Sequence, residues 1–195
     1  MNYPLQMSFR ILALAPQILV KDATGATVCY VRQKMFRLKE NVGVFRDESQ
    51  KTLLCEIRAD RIIDWSASYH FFDSAGATFG AVRRKGVRSL WKAHYELLDE
   101  NDHHYATISE LNPLAKVFDS MLGEVPLLGL LTGYMFQPEY GLRGANGQML
   151  MKMTKRRAFL EGKFIIEKVG ECDEIDELRS LMAFLMMALL ERARG

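Results

Sequence analysis

Leu181-Met-Ala-Phe-Leu-Met-Met-Ala-Leu-Leu190 is the stretch on which the fold turns. Every residue in it is apolar, so a helix through it is apolar on every face. Such a helix is buried in a protein core or in lipid. Its flanks mark its ends. Asp173, Glu174, Asp176 and Glu177 precede it, and Arg192 and Arg194 follow it. Both sets carry the sign that the helix dipole favours. A membrane span needs about 20 apolar residues, and the uncharged run reaches only about half of that. The reading is a core helix over 174–192, which the rest of the chain has to enclose.

The rest of the chain reads as β, and it repeats. Asp22-Ala-Thr-Gly25 is followed by Ala26-Thr27, Val31-Arg32 and Lys34. Asp73-Ser-Ala-Gly76 is followed by Ala77-Thr78, Val82-Arg83 and Lys85, each 51 positions further on. A weaker third copy begins at Asn146-Gly147 and runs through Met149 to Arg157. The repeats lie near 17–58, 68–109 and 135–169. Asp at the first and Gly at the fourth position suit a type I turn closing a hairpin. Between turns the period is two. Leu53, Cys55 and Ile57 alternate with Thr52, Glu56 and Arg58, and Trp91, Ala93, Tyr95 and Leu97 alternate with Lys92, His94 and Glu96. That period marks half-buried strands. Further strands are expected near 17–21, 26–32, 35–39, 42–47, 69–73, 77–84, 104–109, 148–154 and 163–169. Many short strands with regular turns make a sandwich or barrel. A barrel closed around the terminal helix is the economical way to bury it.

Two segments depart from the β pattern. Asn112 caps and Pro113 opens an expected amphipathic helix over 113–122, which Gly123 terminates. Leu114, Val117, Phe118, Met121 and Leu122 form its apolar stripe. Val125 to Leu131 is apolar but broken by Pro126 and Gly129, which reads as a buried connection.

The bulk properties fit one globular domain over 1–195. The chain has 195 residues, of which 49% are hydrophobic and 26% charged. A net charge of +2 gives no bulk attraction to nucleic acid. Cys29, Cys55 and Cys172 are odd in number and form no CxxC pair, so reduced thiols are expected. Met1 to Arg10 lacks the pattern of a signal peptide. A cytoplasmic protein, peripheral at a membrane if it binds one, is the expectation.

The repeated DxxG hairpins with Val-Arg-x-Lys, together with the apolar terminal helix, resemble the LURP-one-related family. That family is akin to phospholipid scramblases and to the tubby C-terminal domain. The matching parts are Asp22–Lys39, Asp73–Arg88 and Asp173–Leu190. The resemblance implies a roughly twelve-stranded barrel around a central C-terminal helix. Tubby domains hold phosphoinositide head groups with basic side chains, and scramblases carry a calcium-binding acidic segment before the terminal helix. Here Gly170 to Glu177 is acidic but lacks alternating Asp/Asn oxygens around a central Gly, so calcium binding does not carry over.

Three basic clusters are the candidate sites. They are Arg32, Lys34, Arg37 and Lys39; Arg83, Arg84, Lys85 and Arg88; and Lys152, Lys155, Arg156 and Arg157. Converging bases hold a phosphate because several donors share one multivalent anion. The second and third clusters are the preferred head-group site. The same residues also read as solvated strand faces paired with acids, and the near-balance of charge favours that reading. Asp99 to His104 reads either as a metal cluster or, more simply, as a polar hairpin turn. Met149, Met151 and Met153, with Met182, Met186 and Met187, read as core filling. No nucleophile elbow, glycine-rich phosphate loop or catalytic cysteine signature occurs, so no catalytic residue, metal or cofactor is assigned.

Three functional classes follow. A non-enzymatic module for anionic lipid head groups predicts that Arg83, Arg84, Lys155 and Arg157 converge on one exposed patch. A structural or protein-interaction domain predicts scattered bases and an exposed apolar patch near 125–131. An enzyme with a cleft built from remote residues predicts perturbed ionisable groups in a pocket.

Overall fold

The computed structural model describes residues 1–10, 17–32, 41–60, 67–84, 94–112, 138–156 and 161–192. The expected helix at 113–122, the stretch 125–131 and the strand at 35–39 lie outside them. Twelve strands form a closed antiparallel barrel in simple up-and-down order, each pairing with its sequence neighbours, and β1 closes on β12. They are β1 (Leu5–Arg10), β2 (Gln17–Lys21), β3 (Thr27–Arg32), β4 (Val42–Phe45), β5 (Leu53–Ala59), β6 (Ser68–Phe72), β7 (Thr78–Arg84), β8 (His94–Leu98), β9 (His104–Glu110), β10 (Glu139–Gly144), β11 (Met149–Arg156) and β12 (Glu161–Lys168). Helix α1 (Glu174–Arg192) has the bounds its sequence predicts. The strand reading passed over β1 and β10.

The interior is α1. Leu181 to Leu189 are all buried, and most of them completely. Around them stand the inward residues of the strands, among them Leu5, Met7, Val20, Val44, Ile57, Phe71, Leu97, Ile108, Leu142, Met153 and Ile166. The dimensions account for the match. Twelve tilted strands close on a radius of about 12 Å. Packed layers lie about 10 Å apart, so a single helix on the axis fills the space. Cys29 and Cys55 face this interior, and burial pushes the Cys55 thiol up to about 12. Cys55 Sγ lies 3.2 Å from Met182 Sδ on α1.

Four hairpins share one construction, and the fifth, β4–β5, is a longer one. In β2–β3 the Gly25 N–H donates to the Asp22 carbonyl and the Asp22 N–H to the Ala26 carbonyl. The same pairs recur at Asp73–Ala77, Asp99–His103 and Gly144–Gln148. The last turn residue is left-handed in each: Gly25, Gly76, Asp102 and Gly147, with Gln50 in the longer β4–β5 turn. Where the opening residue is Asp, its side chain also binds the turn. Asp73 Oδ1 accepts the N–H groups of Ala75 and Ala77 at 2.9 Å, and Asp99 Oδ1 those of Asn101 and His103 at 2.8 and 2.9 Å. His103 and His104 therefore belong to a hairpin, in accord with the simpler reading.

Each hairpin then slips by one residue. Val20 faces Cys29 while Lys21 faces Thr27, which leaves Val28 over. Leu54, Phe79, Tyr105 and Leu150 are left over in the same way. These β-bulges bend the strand ends, and all five extra residues are apolar or aromatic and pack against the core. They close one end of the barrel. The slip corrects one reading. Leu53, expected on the apolar face with Cys55 and Ile57, sits beyond the bulge and is exposed.

The pairing makes the three repeats visible as three four-stranded units: β2–β5, β6–β9, and β10–β12 with β1. The third unit is completed by the strand that begins the chain. The five turns and the β12–α1 link all lie at one end, the turn end. The other strand ends meet at the opposite end, the far rim, where 11–16, 33–40, 61–66, 85–93, 113–137 and 157–160 attach.

Candidate functional site

Among the described residues, acids outnumber bases at the turn end, and bases edge the far rim. Acids crowd the turn end: Asp22, Asp73, Asp99, Asp102, Glu174 and Asp176 are among them. Hydrogen bonds hold several of these carboxylates in the ionised form. Asp22 is held below the usual value chiefly by Thr24, Asp47 chiefly by Ser49, and Asp99 chiefly by the His103 backbone.

The helix enters through this acidic end and is fastened there. Asp173 caps α1, its Oδ1 accepting the Asp176 N–H at 2.8 Å. Arg179 is buried, and its guanidinium makes three contacts. Nε donates to the Phe79 carbonyl at 2.5 Å, Nη1 to Asp176 at 2.9 Å, and Nη2 to Glu100. It also stacks 5.7 Å from the Tyr105 ring. Phe79 and Tyr105 are two of the bulge residues, so the bulges present the atoms that Arg179 binds. Glu177, one turn into α1, is buried and accepts from Lys168 Nζ at 2.6 Å and from the Met1 amine at 3.3 Å. Burial alone would raise its carboxyl, but these donors outweigh burial and hold it low. Arg179 and Glu177 carried no sequence signal beyond being a lone base and one acid among many.

The far rim holds the predicted bases. Arg83 points outward from β7, is 44% exposed, and pairs with Glu96 at 2.9 Å. Arg84 points the other way. The alternation that places Val82 inside places Arg84 inside too, where it is buried with its guanidinium 5.9 Å from the Tyr95 ring. Tyr69 and Tyr140 are also buried in this part of the interior, as is Glu110. Lys152 is outward and pairs with Glu139 at 3.0 Å. Lys155 and Arg156, at the end of β11, are exposed, as is Arg32 at the end of β3. These three have no acidic partner among the described residues. Lys85, Arg88 and Arg157 lie outside the described residues.

The expected convergence of Arg83, Arg84 and Lys155 on one patch does not occur. Strands β8, β9 and β10 stand between β7 and β11, and Arg84 faces inward. Their relation is symmetry instead. β3, β7 and β11 are the second strands of the three repeat units, so their basic ends stand a third of the circumference apart on one rim. The 51-residue offset makes the first two clusters equivalent, but the position of the third depends on β1 closing the last unit.

Among the described residues no group of three or more His, Cys, Asp or Glu is placed to hold a metal, and no helix is long and apolar enough to cross a membrane. No protein-family model matches the chain, and no curated protein does. An Arabidopsis thaliana protein solved by X-ray crystallography is similar in structure, with a TM-score of 0.51 and 11% sequence identity over 94% of this chain and 90% of that one. That likeness concerns the fold, and the chain is accordingly a closed twelve-stranded antiparallel barrel with one C-terminal helix.

Proposed function

We propose that this barrel is a non-enzymatic binding module of the LURP-one-related and scramblase-like kind, and that it binds anionic phospholipid head groups at a membrane surface. The observation that supports the reading is the placement of charge among the described residues: exposed bases at the far rim, and an excess of acids at the turn end. The chain's net charge is small, so attraction to an anionic surface has to come from such local placement. Near an anionic bilayer each exposed base adds about 1 kcal/mol. Among the described acids at the far rim, Glu139 is paired with Lys152 and Glu110 is turned inside, so neither meets Arg32, Lys155 or Arg156.

Co-sedimentation with neutral and with anionic vesicles over a salt series tests this. Binding to anionic vesicles alone, weakening as salt rises, is the expected result. Absence of binding at low salt contradicts it and leaves a protein-interaction domain as the better reading, which the scattered placement of Arg83, Arg84 and Lys155 already favours. Salt-resistant binding to neutral vesicles contradicts it differently, by requiring α1 to leave the barrel.

A further inference from the structure

We infer that the far rim meets an anionic bilayer end-on at three separate basic points, and that it senses charge density rather than the stereochemistry of one head group. The inference rests on the lipid-binding reading above and specifies its geometry. Its basis is the threefold placement of the bases. Arg32 ends β3, Arg83 stands near the end of β7, and Lys155 with Arg156 ends β11. On a barrel of radius about 12 Å, points a third of a turn apart are separated by about 20 Å. That is wider than a single lipid head group, so no one phosphate group can be shared by all three points. A plane of many head groups can touch them all at once.

The remaining charges favour the same orientation. Among the described residues, acids such as Asp73, Asp99, Asp102 and Glu174 outnumber the bases Lys21, Arg46, Lys51, Arg143, Lys168 and Arg179 at the opposite end, so the described part of the barrel carries a dipole along its axis. An anionic surface attracts one end and repels the other, which turns the far rim toward it before contact. Arg32, Lys155 and Arg156 have no acidic partner among the described residues to give up. Arg83 has to exchange Glu96 for a lipid phosphate. Because the Arg83 side chain is 44% exposed, that exchange is inexpensive. A nucleic acid is also anionic, but a rod spans at most two of three points set around a circle.

The test uses the full chain with two kinds of phosphatidylcholine vesicle, one doped with phosphatidylserine and one with a phosphoinositide, at matched surface charge. Three variants each alter one point: Arg32→Glu, Arg83→Gln, and Lys155→Glu with Arg156→Glu. Lys21→Glu with Lys51→Glu makes a comparable charge change at the turn end, where both lysines are exposed. Thermal melts confirm that each variant is folded, and Arg32→Gln replaces Arg32→Glu if reversal disturbs β3. The two vesicles should bind within about twofold of each other. Each rim variant should weaken binding by about fivefold per base neutralised, with effects that multiply on combination. The turn-end variant should bind at least as well as the native protein. A tenfold or greater preference for the phosphoinositide at matched charge overturns the inference, as does complete loss through one point with no effect at the others. Both of those outcomes describe one stereospecific pocket and leave the lipid-binding reading standing. No binding to either vesicle removes both.

Discussion

Two glycines separate backbone strain from crowding at the level of single residues. Gly25 and Gly80 both have positive φ, at 86° and 149°. A Cβ on Gly25 meets nothing within 4 Å, whereas one on Gly80 comes 2.8 Å from the Leu98 carbonyl and 3.2 Å from Arg179 Nε. Gly25→Ala therefore costs only the backbone term, about 1 kcal/mol. Gly80→Ala adds a clash that neither a sheet carbonyl nor a buried arginine can relieve, and should cost about 3 kcal/mol; urea unfolding of the two variants measures the difference. Gly25 is legible in the sequence as the fourth residue of a turn. Gly80 is not, because what it avoids is a carbonyl of the neighbouring strand β8 and the Arg179 side chain of α1. The turn aspartates give a pH signature. Hydrogen bonds lower the folded pKa of Asp22, Asp47 and Asp99 from an ordinary value of 3.8. Their contribution to stability is therefore complete above about pH 4 and is lost as pH falls through the lowered folded values. Thermal melts between pH 7 and pH 3 should show the midpoint falling below pH 4, and falling less in Asp99→Asn, whose amide oxygen still accepts from the turn as Asn146 does for Gln148.

At the scale of elements, α1 was the most legible part of the chain. Its bounds follow from unbroken apolar residues between an acidic start and a basic end, a signal that needs no partner. The strands were legible where period two ran between turn residues. The alternation of Leu5, Met7 and Phe9 that makes β1 carries no turn signal or repeat of its own, and Gly141 and Gly144 dilute the pattern of β10. The bulges were not legible at all. A slip of one residue is decided by which neighbour the strand end must cover, and for Phe79 and Tyr105 that neighbour is Arg179 of α1. Arg179 is the fastening at that entrance, joining α1 to the β6–β7 and β8–β9 hairpins. Arg179→Ala should destabilise the protein by about 2–3 kcal/mol, since it strands a buried carbonyl and releases two acids. Arg179→Lys should recover less than half of the loss, because an ammonium cannot span Phe79, Asp176 and Glu100 together. Chemical denaturation of the three proteins is the check, and equal stability of the native and lysine proteins would deny the forked contact.

At the scale of the whole molecule, the described residues form a barrel with two unlike ends, one rich in acids and pinned to its helix, the other edged with bases. Closed-barrel architecture was legible from a β-rich chain ending in a helix that must be enclosed. The arrangement of the candidate site was not. Three basic runs in the sequence suggested one patch, whereas four strands per repeat place them around a circle. The direct test of the account is orientation on a membrane. Gln17, at the far-rim end of β2, and Thr24, in the first turn at the opposite end, are replaced singly by cysteine in a Cys172→Ala background, since the other two cysteines are buried. Each variant carries a fluorescent label, and quenching by acrylamide is measured with and without anionic vesicles. The account predicts that vesicles shield the label at position 17 and leave the label at position 24 open to the quencher. Shielding at 24, or equal quenching at both positions while the protein is bound, would contradict it.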